Sequence, residues 1–166
     1  MVGQLGLILS PQMHVHCFTD SPELALRLID HFKNLYIGIT GQQHRVCDHS
    51  GAEVYTIGVI TYTSNLNTAN LIRALVTSPS PSLRILLETD APYMIPANIY
   101  RDLRNLPPGS KLPISHTGMI PWTAEWVSKV AAEATKQFPS AGDATGWTVE
   151  RVMTEARDNA RNVYGV

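Results

Sequence analysis

Leu83-Arg84-Ile85-Leu86-Leu87-Glu88-Thr89-Asp90-Ala91-Pro92-Tyr93 is the stretch from which the fold follows. Apolar side chains climb through Leu83, Ile85, Leu86 and Leu87, and two carboxylates and a proline follow at once. Apolar residues at successive positions need cover on both faces, which a strand of a parallel sheet receives from its flanking helices. The polar C-terminal end of such a strand is where parallel α/β folds present reactive groups. Asp90 is therefore the first candidate for chemistry. Glu88 has the same parity and so the same face, which makes it a support for Asp90 or a buried acid paired with the next strand.

Upstream, the same alternation repeats. Met13-His14-Val15-His16-Cys17-Phe18 reads as a strand on which His14 and His16 share a face. Ser21 is placed to cap a helix with Pro22 at its first position. That helix is expected to carry Leu24, Leu28, Ile29 and Phe32 inward. Tyr36-Ile37-Gly38-Ile39-Thr40-Gly41 is a second short strand ending at a glycine. Asn67 or Thr68 is the expected cap of a helix with Leu71, Ile72, Leu75 and Val76 as its apolar stripe, stopped by Ser78-Pro79-Ser80-Pro81. Strand, helix, strand is the unit that builds parallel sheets.

After Pro92 comes a long proline-rich connection, of the kind that forms functional loops. Pro121 opens a helix to about Gln137, with Trp122, Trp126, Val127, Val130 and Ala134 inward. Thr148 caps a last helix with Val149, Val152, Met153, Ala156, Ala160 and Val163 on its inner face, ended by Gly165. Residues 42–58 have no useful period and read as a loop. His44, Cys47 and His49 in that loop lack a fourth ligand and fit no zinc spacing, whereas Val59-Ile60-Thr61-Tyr62 resumes β-prone composition.

The 13 Lys and Arg balance 14 Asp and Glu without a basic cluster, which excludes a protein that coats duplex nucleic acid through many phosphates. It leaves open an enzyme that touches few. Cys17 and Cys47 make no CxxC pair, so a reducing, intracellular setting in cytoplasm or nucleus is expected. The opening Met1 to Leu9 is apolar but too short to span a bilayer and lacks the basic flank of a signal peptide. Neither a membrane nor an obligate protein partner is expected.

His16 and Asp90 both lie at strand ends, and imidazole with carboxylate suits a divalent ion used for hydrolysis. The motifs around them carry a specific resemblance. Val15-His16-Cys17-Phe18-Thr19-Asp20, Tyr36 to Gly41 and Leu86-Leu87-Glu88-Thr89-Asp90-Ala91-Pro92-Tyr93-Met94 resemble consecutive signatures of the TatD family of metal-dependent deoxyribonucleases. Leu112-Pro113-Ile114-Ser115-His116-Thr117-Gly118-Met119-Ile120-Pro121-Trp122 resembles one branch of that family, as do Glu150 to Met153 and Asp158 to Gly165.

The resemblance implies an α/β fold, part of a TIM (β/α)₈ barrel comprising about strands six to eight with their helices. Residues 1–166 would be the C-terminal portion of that domain, with an insertion at 42–58 that is either a lineage-specific loop or a translated intron. It implies that His16 binds metal, and that Asp90 both binds metal and orients or deprotonates the attacking water. Glu88 and His116 are candidates for supporting or substrate-contacting roles. The implied cofactor is a divalent metal, Mg²⁺ first, with Mn²⁺ or Zn²⁺ as alternatives. The implied reaction is phosphodiester hydrolysis of DNA, as single strands or 3′ ends.

Departures bear on activity. The family's early His-x-His, its Glu ligand after strand four and its His after strand five have no counterpart. His14-Val15-His16 copies the first spacing but sits in the strand-six context. The chain alone is therefore expected to bind metal weakly and to be poorly active or inactive. The alternatives are a remnant with a binding or structural role and a hydrolase of small esters or amides. Cys17 adjoins His16 without a third orienting group, which argues against a thiol nucleophile.

Overall fold

The computed structural model describes residues 11–40, 43–47, 53–57, 66–79, 81–103, 105–107, 110–137 and 146–166. Its centre is a three-stranded parallel sheet in the order β1 (Met13–Val15), β2 (Leu35–Thr40), β5 (Ile85–Glu88). Helix α1 (Pro22–His31) joins the first two strands, and α2 (Asn67–Val76) precedes β5. The later helices α3 (Ile120–Gln137) and α4 (Val149–Tyr164) follow two 3₁₀ turns, Ala97–Arg101 and Thr117–Met119.

Register assigns the two faces. His14 pairs with Tyr36, Gly38 with Leu86 and Thr40 with Glu88, so these six share one face. Leu35, Ile37, Ile39 and Ile85 alternate onto the other, where all are buried against Leu71, Ile72, Val76, Val127 and Val152 of the helices. The decisive stretch thus forms a shorter strand than its apolar run suggests, with Leu83 fully buried just ahead of it.

Local signals explain three of the helix ends. Ser21 Oγ accepts from the Leu24 N–H with Pro22 in the first turn, and Thr148 Oγ1 accepts from the Arg151 N–H. Gly165 ends α4 at φ 69°, a left-handed conformation that suits glycine. The stripe of α2 is buried as expected.

Four expectations need correction. Asn67 lies inside α2 rather than capping it; Leu66 precedes the helix and offers no side-chain oxygen. In α1 the wholly buried residue is Ala25, with Leu28 and Ile29 packed beside it, whereas Leu24 and Phe32 are exposed. Leu24 sits about 100° around the helix from Ala25, and the contact is narrow because a small residue lets the helix approach closely. Trp122 is half-buried rather than fully inward, with its Nε1–H donating to Asp102 (2.7 Å). Finally, the described residues of the 42–58 stretch are not a loop. They form β3 (Gln43–Cys47) and β4 (Glu53–Ile57), an antiparallel pair apart from the main sheet. Val54-Tyr55-Thr56-Ile57 has high β propensity, but a two-stranded ribbon needs no single apolar period to pair. His49 and Val59 to Tyr62 lie outside the described residues.

Candidate metal site at the C-terminal rim of the sheet

The rim is organised around the Glu88 carboxylate. Glu88 ends β5 opposite Thr40 on β2, and the turn after β1 folds over both. The Nδ1–H of His16 donates to Glu88 Oε1 (2.7 Å), and the Cys17 backbone N–H donates to Oε2 (3.0 Å). Thr40 Oγ1–H reaches Oε2 at 3.3 Å. His14 Nε2 also lies 2.7 Å from Oε1. That contact is close but off the hydrogen-bond axis, since Nε2 has no aligned partner. It is therefore an electrostatic contact rather than a formed hydrogen bond.

Tying Nδ1 of His16 to a carboxylate turns Nε2 outward, the arrangement in which an imidazole offers its lone pair to a cation. Nε2 stands 3.3 Å from Asp90 Oδ1. Two ligand atoms each about 2.1 Å from one ion, at roughly 90–110° to one another, stand about 3.0–3.4 Å apart. The pair matches that spacing, and its nitrogen and oxygen donors suit a divalent ion. Among the described residues, two groups have donors close enough to share an ion: His14, His16 and Glu88, and His16, Cys17 and Asp90.

Backbone strain marks the same place. Cys17 (φ 48°), Asp90 (φ 53°) and Met94 (φ 57°) occupy the left-handed region without being glycine, each at a cost of about 1–3 kcal/mol. Two of the three flank or belong to the His16–Asp90 pair. The Asp90 turn is held by the Tyr93 N–H donating to Asp90 O (2.9 Å) and the Ser115 N–H donating to Pro92 O (2.8 Å).

Electrostatics separates the roles open to each group. The hydrogen bond His16 donates to Glu88, then the charge of Glu88, holds the His16 imidazole above its ordinary pKa, with a smaller push from Asp90. Burial pushes the Cys17 thiol up to about 11. Its Sγ contacts Thr40 Oγ1 at 3.0 Å. A thiol kept protonated is a poor nucleophile.

The structure thus brings together His16, Asp90 and Glu88 from two strand ends, His16 after β1 and the two carboxylates at the end of β5. His14 joins them as a half-buried, hydrogen-bonded histidine. The Nδ1 of His116 accepts from the Gly118 N–H (3.1 Å) at the start of a 3₁₀ turn. Three participants escape sequence reasoning. Thr40 and the Cys17 amide close around Glu88, and Tyr164 contacts His14 from the far end of the chain. Gly38, a lone glycine inside an apolar strand, was the legible signal of a close approach.

These features define a parallel α/β protein with a candidate cation site at the C-terminal rim of its sheet. A family model for TatD related DNase matches residues 6–165, and the chain belongs to that family. Over 119 residues, 72% of this chain, it is 27% identical to the 3′-5′ RNA nuclease TATDN2 of Homo sapiens, of which it covers 12%. It is also similar to a solved structure, an uncharacterized amidohydrolase from Saccharomyces cerevisiae, with a TM-score of 0.47 and 14% identity over 93% of this chain and 40% of the yeast one. The chain therefore spans a minor part of the length of both proteins. Among the described residues, no helix is long and apolar enough to cross a membrane.

Proposed function

We propose that this chain carries part of the active centre of a metal-dependent phosphodiesterase acting on nucleic acid. In this reading its three parallel strands correspond to about strands six to eight of a (β/α)₈ barrel. The observation that carries it is the 3.3 Å approach of His16 Nε2 to Asp90 Oδ1, with the other ring nitrogen engaged by Glu88. Family membership supports the same chemistry.

His16 and Asp90 would hold the ion, which supplies Lewis-acid polarisation of the phosphoryl oxygen and activation of water. Asp90, partly exposed in a strained turn, accepts the proton of the attacking water. Glu88 keeps the His16 ring in one tautomer and orientation. The ion is divalent, with Mg²⁺ the first expectation; the imidazole donor equally suits Mn²⁺ or Zn²⁺. The free thiol of Cys17 accords with an intracellular setting, in cytoplasm or nucleus.

DNA, as single strands or 3′ ends, is the proposed substrate, and the name of the human relative adds RNA as a competitor. The test is an assay of single-stranded DNA, single-stranded RNA and a panel of small esters with Mg²⁺ or Mn²⁺, run with wild type and Asp90→Asn. Metal-dependent nucleic acid cleavage that the variant lacks supports the reading, whereas cleavage confined to the esters replaces it. A second reading, metal binding without turnover, is favoured by the small number of donors that converge at the rim among the described residues. Saturable metal uptake with no cleavage of any substrate would support that one.

A further inference from the structure

The end of the last helix returns to the rim. Tyr164, the final residue of α4, places its hydroxyl 2.7 Å from His14 Nδ1, across 150 residues of sequence. Their rings meet edge to face, with centroids 6.2 Å apart.

The approach is fixed lower on the same helix. The Leu83 N–H donates to Glu155 Oε2 (3.2 Å), and Asn159 Nδ2 donates to Leu83 O (2.6 Å) and Ile85 O (2.9 Å). Since Arg84 O faces β2, the carbonyls of residues 83 and 85 point to the opposite edge. Helix α4 thus runs along the outer edge of β5. Five residues beyond Asn159 the helix has risen about 7.5 Å, which carries Tyr164 to the level of the strand tips.

His14 Nε2 is shut off from solvent and lies 2.7 Å from Glu88 Oε1. A lone pair on that nitrogen would confront the carboxylate, whereas an N–H there is attracted to it. A neutral imidazole has one N–H, so Nδ1 must then act as the acceptor. Tyr164 supplies the matching O–H.

We propose that Tyr164 is a positioning residue for the rim: by donating to His14 Nδ1 it fixes the His14 tautomer that holds Glu88, and through Glu88 the orientation of His16. This rests on the reading of His16 as a cation ligand. The helix end is then part of the site's support as well as a cover for the sheet edge. The conservative variant Tyr164→Phe keeps the ring and removes the donor.

The test has two arms on the full chain. Imidazole ¹⁵N NMR of wild type should show His14 protonated at Nε2, and Tyr164→Phe should shift it toward a mixture of tautomers. Mn²⁺ titration should weaken by about three- to tenfold in the variant, less than the roughly 10–100-fold typical of a direct partner of a ligand. The thermal midpoint should be unchanged. A wild-type His14 protonated at Nδ1, or a variant with unchanged tautomer and unchanged Mn²⁺ affinity, overturns the role of Tyr164. A wild type with the expected His14 tautomer that binds no Mn²⁺ instead overturns the cation-site reading beneath it.

Discussion

Gly38 leaves open the space that the Glu88 carboxylate fills: a β-carbon at position 38 would lie 2.6 Å from Glu88 Cδ and 2.7 Å from Oε1. The carboxylate rests over the central strand because that strand has no side chain there. Gly38→Ala is expected to push Glu88 away from His16, Thr40 and the Cys17 amide. Overpacking of this kind costs about 1–3 kcal/mol, and loss of a ligand's partner weakens metal affinity roughly 10–100-fold. Denaturant titration and Mn²⁺ calorimetry on the same variant measure both. Unchanged metal affinity would show that Glu88 does not act through the geometry described.

Glu88 raises the His16 pKa, and the sign of the pH response follows. A raised folded-state pKa contributes stability that is fully present below the ordinary value of about 6.5 and is lost as pH rises through the raised value. His16 is largely exposed, so solvent screening keeps that contribution small. Metal binding runs the other way, because a cation needs the neutral ring. Affinity should fall as pH drops through the raised pKa, and Glu88→Gln should move the midpoint of that fall to lower pH. An NMR titration of His16 beside Mn²⁺ affinity at several pH values measures the shift.

Arg84 holds the end of α1 by donating to the carbonyls of Ile29 (2.9 Å), Phe32 (2.9 Å) and Leu35 (2.7 Å) and to Lys33 O. Its planar fork serves several acceptors at once, which a lysine cannot do. Arg84→Lys is expected to destabilise the fold by about 1–3 kcal/mol while leaving Mn²⁺ affinity unchanged. Urea denaturation checks the first part and calorimetry the second.

Asn159 caps two carbonyls on the outer edge of β5. Asn159→Leu leaves both unsatisfied at a cost of about 1–3 kcal/mol, and Asn159→Asp is worse, since a carboxylate would face carbonyl oxygens. Hydrogen exchange should show faster opening of the Leu83 amide in either variant.

Much of this was legible because it is local. Successive apolar residues foretold the parallel strands, and Ser21-Pro22 and Thr148 foretold helix starts. The pairing of Gln43–Cys47 with Glu53–Ile57 was hidden because ribbon pairing demands no apolar period. Leu24 and Phe32 misled because hydrophobicity alone does not say which arc of a helix a neighbour covers. The Tyr164–His14 contact had no local signal at all, since a helix end and a strand 150 residues away meet only through the packing of everything between them.

A Mn²⁺ titration of the chain by calorimetry, wild type beside Asp90→Asn, tests the shared His16–Asp90 ion most directly. The expected result is saturable binding, weaker than about micromolar because few donors converge among the described residues, and its loss in the variant. Wild-type affinity retained by Asp90→Asn would contradict the claim that His16 and Asp90 share an ion.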